Sequence, residues 1–494
     1  PEDLNLHESL IELTAKNLLV IDKLLNTSSQ KIECYYQQNL FMSEQRLAKN
    51  LAELMGAFKS SKRPIWVQDN TEEKVNSWLK RYNERAALAL SEEQKNAVKK
   101  ASLSQVFILT GGPGVGKTTT ANALIRLLKA MGRKILLAAP TGRAAQRLSE
   151  VSGEPAKTIH RLLEWSPTEF RFMRSSQSPL NTETLIVDEA SMIDQRLADH
   201  LFAAVPKTGQ LILIGDTDQL PAIGAGNVLH DLLAYEKMPS QKLQKVFRQA
   251  QKSKIIQTAH SLNKGESPFF ENSQESDCHF IEVQSNHEIL EKIKKLLTHF
   301  LPKANYDPLK EVQILSPMNK GLLGCFELNL LCQSLLNKEA KTLSQEDKEN
   351  KKVRLLIGDK VIQTVNNYDL GVFNGDIGSV ETCPLKEDRA CIINFNGKRV
   401  IYDLPQMKEL SLAYSITIHK SQGSEFPVVI IPLSLSHNIM LQRNLIYTAL
   451  TRARKLAIFV GDKKALHIAV QNQKTLNRQT QLTGRLKELL NQTF

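Results

Sequence analysis

VFILTGGPGVGKTTTANALIRLLKA, residues 106–130, is the stretch on which the fold turns. VFILT is a short apolar, β-branched-rich run that reads as a strand, and a helical stretch comes after the glycines. Between them Gly111–Thr118, GGPGVGKT, fits G-x-x-x-x-G-K-[ST], and a strand before with a helix after is the context that motif requires. Gly111, Gly112, Pro113, Gly114, Val115, Gly116, Lys117, Thr118 and Thr119 are therefore the expected nucleotide-binding residues. Glycines let the backbone wrap with its N–H groups pointing at phosphate oxygens, and the helix adds the positive end of its dipole. Lys117 supplies a point charge for the β- and γ-phosphates, and Thr118 a hydroxyl for Mg²⁺. A glycine-rich turn that binds nothing is the competing reading, and strand, loop, Lys and Thr together argue against it.

The same period continues outward. KILLAA (134–139), TLIV (184–187) and QLILI (210–214) are further strand-like runs, each followed by a loop and a helical stretch. That alternation predicts a mostly parallel sheet covered by helices. A second set begins near Val312 with VQILS and resumes with VVIIP (428–432) and KLAIFV (455–460). The expected fold class is thus α/β, with two tandem α/β units, at about 91–245 and 246–494. Residues 1–90 carry apolar positions at helical spacing, LIELTAKNLLVIDKLL among them, and predict a small helical docking domain. Short alternating runs broken by NG and GD turns predict a β-rich insertion at about 370–408.

LIVDEAS puts Asp188 and Glu189 at the end of an apolar strand, where paired carboxylates are costly unless a cation or water is handled there. Asp188 is the expected Mg²⁺ partner and Glu189 the residue that polarises the attacking water. Gln219, in GDTDQLPAIGAG, is placed to reach the γ-phosphate region, although that segment would also make a tight turn. Phosphoryl transfer gains from a cation that meets developing charge, and Arg248 in KVFRQ and Arg452 in YTALTRAR are candidates from the second unit. Arg454 reads as a surface ion-pair partner.

Composition narrows the partners. The 494 residues carry a net charge of +12, which favours polyanions through phosphate contacts. No run reaches the ~18 apolar residues of a membrane span. The first residues are acidic and mixed, unlike a secretory signal, so the cytoplasm is the expected location. The six cysteines form no CxxC pair, which argues against zinc or a disulfide framework and for idle thiols.

Ten motifs in order complete the reading: SEEQKNAV, GGPGVGKTTT, APTGRAAQRL, KTIHRLL, VDEASMID, GDTDQLPAIGAGNVL, VFRQ, NNYDLGVFNGDIG, AYSITIHKSQGSEF and LIYTALTRAR. Together they resemble the RecD-like branch of the superfamily 1 DNA helicases, from Ser91 to Arg454. The resemblance implies two RecA-like P-loop motor domains, an SH3-like β insertion in the second and a short hairpin insertion at about 164–180. It implies ATP and Mg²⁺ as cofactors and 5′-to-3′ movement on single-stranded DNA. By the same resemblance Gln94 reads the adenine, and Gln219, Arg248 and Arg452 sense the γ-phosphate. Pro140, Thr141, Thr158, His160, Thr417, His419 and Ser421 match segments that line the DNA channel, with turn or packing roles as their alternative. The resemblance also implies DNA ends as substrate and a heterotrimer with RecB-like and RecC-like subunits, the nuclease lying in the RecB-like partner. A stand-alone helicase is the alternative.

Overall fold

The computed structural model describes residues 2–25, 31–57, 71–86, 89–247, 251–271, 273, 275–337, 355–367, 369–382, 391–473 and 478–491. Two parallel sheets dominate. The first has six strands in the order Ser240–Leu243, Val106–Gly111, Gln210–Gly215, Thr184–Val187, Ile135–Ala139 and Ala156–Thr158. The second has five: Cys278–Glu282, Ala453–Gly461, Phe426–Leu433, Val312–Ser316 and Ser415–Thr417. All neighbours within each run parallel. The continuous apolar runs of the sequence arise because both faces are covered.

Alternation along one strand shows how. Val106 and Ile108 point into a core shared with Leu47, Leu51, Leu201 and Leu486. Phe107 and Leu109 point the other way, against Val98, Leu124 and Ile125. The second sheet repeats the arrangement, with Val429 and Ile431 on one face and Val428 and Ile430 on the other.

The β insertion is an antiparallel five-stranded sheet in the order Lys398–Tyr402, Cys391–Phe395, Ile377–Thr382, Lys360–Gln363 and Leu410–Leu412. It starts ten residues before the expected 370, because Val361 and Ile362 are buried strand residues rather than linker. A two-stranded ribbon, Trp165–Ser166 with Arg171–Phe172, occupies the expected hairpin segment and carries an exposed Phe170 at its turn.

The N-terminal region is helical as expected apart from one hairpin, and two other expectations need correction. The N-terminal region is mainly helical, in Glu2–Ala15, Gln38–Ala57 and Thr71–Arg85, but Leu19–Leu25 is a strand paired antiparallel with Lys31–Gln37. The helix stops because Asn17 turns left-handed (φ 56) and the Leu18 N–H reaches back to the Leu13 carbonyl at 3.0 Å, a helix-ending bond pattern. The last helix, Leu482–Asn491, expected in the second unit, returns to the first and buries Leu482 and Leu486 beside Leu47. Finally, Cys391 is disulfide-bonded, whereas Cys34, Cys278, Cys325 and Cys332 are free thiols as read. Cys383 lies outside the described residues.

Chain start and chain end are joined by charge. Arg485 donates to Glu44 Oε1 at 2.9 Å and to Asp22 Oδ2 at 2.5 Å, and its guanidinium stands 4.7 Å from the Phe41 ring centre. Glu44 is only 1% exposed, so removing its partner strands a buried carboxylate. Arg485→Ala should therefore lower unfolding free energy by about 3 kcal/mol, measured by urea denaturation, whereas an exposed ion pair would register well under 1 kcal/mol.

Candidate functional site

A cleft of about 420 Å³ lies where the two sheets meet. Gly112, Gly114, Lys117, Thr118, Asp188, Glu189 and Gln219 line it from the first sheet, and Arg452 and Arg454 from the second. Those of the first sheet arrive at the C-terminal end of a parallel strand or in the loop beyond, where such sheets gather ligands, whereas Arg452 and Arg454 stand at the start of the strand Ala453–Gly461.

The loop after Val106–Gly111 leads into the helix Lys117–Ala130. Gly114 and Gly116 are left-handed (φ 72 and 81), and a side chain on Gly116 would collide with the Gln94 amide and the Phe247 ring. Lys117 Nζ donates to the Gly111 and Gly112 carbonyls at 2.5 and 2.8 Å and stands 3.8 Å from Asp216. Its charge is thus held at the mouth of the loop.

Asp188 comes directly after the strand Thr184–Val187, and the Glu189 N–H donates to its Oδ1 at 2.9 Å. Burial, with Glu189 adjoining, pushes the Asp188 carboxyl up to about 6. A carboxylate so poorly compensated is one a cation would stabilise. Glu189 sits in left-handed backbone (φ 51, ψ 40), a conformation that costs a non-glycine residue about 1–3 kcal/mol and marks functional positions.

The loop Asp216–Leu220 crosses to the second sheet. Arg452, 3% exposed, donates through Nη2 to Gln219 Oε1 at 2.9 Å. The Gln219 amide in turn donates to Asp216 at 3.4 Å. Tyr447 donates to Asp216 at 2.8 Å, the Leu220 N–H to Thr448 Oγ1 at 2.9 Å, and Gln422 to the Leu220 carbonyl at 3.0 Å. Lys117, Gln219 and Arg452 are thereby brought into one connected cluster. Arg248 lies outside the described residues; the Phe247 N–H before it donates to the Gly114 carbonyl at 3.4 Å. Arg454 lines the cleft with its side chain 3.8 Å from Glu425, an ion-pair geometry. Asp216, Tyr447 and Thr448 were not singled out from sequence. Their signal was the GD before Gln219 and the Tyr-Thr before Arg452.

Gln94 is held by the chain itself. Its Oε1 accepts from the Ser91 N–H at 2.9 Å, completing a helix capping box, and its Nε2 donates to the Gly116 carbonyl at 3.2 Å. Being 1% exposed, it braces the phosphate loop from behind.

The expected DNA-channel residues also end parallel strands. Pro140 and Thr141 come just after Ile135–Ala139, Thr158 closes Ala156–Thr158, and Thr417 closes Ser415–Thr417. Thr141 and Thr158 accept N–H bonds from Ala144 and Arg161, capping helices. Thr417 accepts from the Lys420 N–H, and fully buried Ser421 donates to the Ile418 carbonyl at 2.7 Å. These hydroxyls hold their loops in shape. His160 lies 5.5 Å from Phe172 of the ribbon, and burial lowers the pKa of both His160 and His419. Beside them a second cleft, of about 350 Å³, runs between the first sheet and the β insertion. Arg143, Lys157, Arg161 and Lys398 line it, with the Arg161 guanidinium 5.3 Å from the Phe373 ring centre. Cations beside an aromatic face suit a single strand's phosphates and bases.

Three family models match the chain. The AAA domain matches residues 89–283, the ATP-dependent RecD-like DNA helicase SH3 domain residues 328–395, and the UvrD-like helicase C-terminal domain residues 412–460. The chain is 38% identical over 404 residues to the ATP-dependent RecD2 DNA helicase of Deinococcus radiodurans, covering 82% of this chain and 53% of that one. It therefore spans about half the length of that relative. It is 31% identical over 413 residues to the RecBCD enzyme subunit RecD of Mycobacterium tuberculosis, covering 77% and 70%. A solved structure of Pif1 helicases on forked double-stranded DNA aligns with TM-score 0.46 and 20% identity, covering 76% of this chain and 94% of that one.

The brace geometry of Gln94 has a measurable consequence. Gln94→Ala should weaken ATP and GTP binding by the same factor in competition titrations. A loss confined to ATP would restore adenine recognition as its role.

Proposed function

We propose, for a chain that belongs to the RecD-like family of superfamily 1 DNA helicases, that ATP hydrolysed between its two parallel sheets drives 5′-to-3′ movement along single-stranded DNA. One observation carries this reading. Lys117 on one sheet and Arg452 on the other line the same cleft, joined through Asp216 and Gln219.

In this mechanism the backbone N–H groups of Gly112, Gly114, Val115 and Gly116 and the Lys117 ammonium hold the β- and γ-phosphates. Thr118 and Asp188 would hold Mg²⁺, which would offset charge on the phosphate oxygens. The fit is good: a hydroxyl and one carboxylate suit an ion that keeps waters and phosphates as its other ligands. Among the described residues no cluster of three or more His, Cys, Asp or Glu could hold a metal without such help. Glu189 polarises the attacking water. Arg452, with Arg248 as a further candidate, meets charge developing on the γ-phosphate from the second sheet, and Gln219 does so from the first.

DNA runs across the ends of Ile135–Ala139, Ala156–Thr158 and Ser415–Thr417, carried by the segments around Pro140–Thr141, Thr158–His160 and Thr417–Ser421. Nucleotide binds best where both sheets contribute, so each cycle of binding and release moves one DNA-bearing set of loops against the other. The cytoplasm, where DNA and ATP are both available, is the proposed location. No described helix is long and apolar enough to cross a membrane.

Two settings fit this motor. The higher identity to the Deinococcus helicase favours a chain that works as its own motor. The mycobacterial relative favours a RecD-type subunit joined to RecB-like and RecC-like partners at DNA ends. Purification from native cells separates the two: a stoichiometric large pair of chains means the heterotrimer, and a lone chain with full unwinding activity means the first setting.

Lys117→Ala should abolish DNA-stimulated ATP hydrolysis with an unchanged melting curve. Glu189→Gln should bind ATP yet turn it over at least about 100-fold more slowly, as loss of a positioned general base implies. Duplex displacement should require a 5′ single-stranded tail. Equal activity on substrates with only a 3′ tail would refute the polarity.

A further inference from the structure

We propose that Tyr447 is a positioning residue that frees Lys117 for phosphate, by occupying Asp216 when the two sheets close. The inference rests on the reading of the cleft as an ATP site and adds a residue that this reading does not require.

Asp216 is 2% exposed and so has almost no water to solvate its charge. A buried carboxylate must take hydrogen bonds or a cation from its neighbours. Three groups compete for its Oδ2: the Tyr447 hydroxyl at 2.8 Å, the Gln219 amide at 3.4 Å and the Lys117 ammonium at 3.8 Å. Lys117 and Gln219 belong to the first sheet. Tyr447, wholly buried on the helix Arg443–Leu450, belongs to the second.

The competition therefore reads out the distance between the sheets. With Tyr447 in place, Asp216 is supplied with donors and exerts a weaker hold on Lys117, which rests on the Gly111 and Gly112 carbonyls at the mouth of the loop. When the second sheet withdraws, the phenol leaves with it. Asp216 then draws Lys117 into a direct ion pair, away from the place a phosphate would occupy.

The hydroxyl is held to this task from several sides. A Cβ on Gly112 would stand 3.4 Å from it, so it lies against the phosphate loop itself. Thr448, next in the helix, accepts the Leu220 N–H, and Asn263 from a neighbouring helix donates to Asp218 at 2.8 Å. The helix cannot shift without disturbing the whole Asp216–Leu220 loop.

Titration of the full chain with ATPγS, a dT oligonucleotide being present, tests the proposal alongside steady-state ATPase kinetics. Tyr447→Phe should weaken ATPγS binding roughly tenfold, the scale of one hydrogen bond to a charged group. KM for ATP should rise by more than kcat falls. Adding Asp216→Asn to Tyr447→Phe should restore affinity, because a neutral amide no longer captures Lys117. A merely structural tyrosine would lower the melting temperature and would not be rescued in this way.

Unchanged affinity in Tyr447→Phe overturns the proposal, as does a double variant no tighter than the single one. Should Tyr447→Phe fail to fold, Asp216→Asn alone still decides. Affinity equal to or above wild type supports the latch, and weaker binding contradicts it. Lys117→Ala separates this test from the site assignment. If it binds ATPγS as wild type does, the ATP-site reading itself fails.

Discussion

The turn Asp216–Leu220 is where the two sheets exchange buried hydrogen bonds, and the remainder of the site is arranged around it. Arg452 on Gln219, Tyr447 on Asp216, Thr448 and Gln422 on the Leu220 backbone form a seam with little access to water. In such surroundings a lost partner is expensive, because the group left behind has nothing to replace it. The seam therefore has discrete arrangements rather than a continuum. Discreteness is what a motor needs if a change of one phosphate group is to move a whole lobe.

The sheets translate that seam into reach. Because every strand in each sheet runs the same way, all the C-terminal ends open onto one side. The phosphate loop, the Asp188–Glu189 pair and the Gln219 turn arrive there from neighbouring strands. The strand ends at Pro140, Thr158 and Thr417 arrive on the same side, farther along. Rigid strands thus link the proposed nucleotide cleft to the loops proposed to carry DNA. The first lobe is stiffened further by chain from both ends, the helices Gln38–Ala57 and Leu482–Asn491 sharing one core. Since the second of these arrives after the second sheet is complete, the chain ties the lobes together covalently as well as by contact.

Local chemistry was legible in the sequence wherever it depended on neighbours along the chain. Gly111–Thr118 could be read because a strand, a loop and a helix N-terminus are consecutive. The strands at 106, 134, 184, 210, 312, 428 and 455 could be read because burial on both faces demands unbroken apolar runs. Illegible were features set by distant partners. Leu19–Leu25 has apolar residues at helical steps, Val20 with Leu24 and Ile21 with Leu25, yet Asn17 ends the helix and Lys31–Gln37 pairs with Leu19–Leu25 as a strand. Lys360–Gln363 is too short and too close to a GD turn to announce itself as a strand. Tyr447 looks like one more aromatic in an apolar helix until Asp216, 231 residues earlier, is found against it. Gln94 fitted a motif for base recognition, but its amide is engaged by Ser91 and Gly116.

Nucleotide is proposed to bridge the two sheets, with Lys117 on one side of the γ-phosphate and Arg452 on the other. A crystal structure with a dT oligonucleotide and ADP–aluminium fluoride tests it most directly. Lys117 Nζ should be released from the Gly111 and Gly112 carbonyls and bonded to phosphate or fluoride, with an Arg452 nitrogen within about 3 Å of the fluoride group. Arg452 remaining on Gln219 alone, with no second-sheet cation reaching the transferred group, would contradict it.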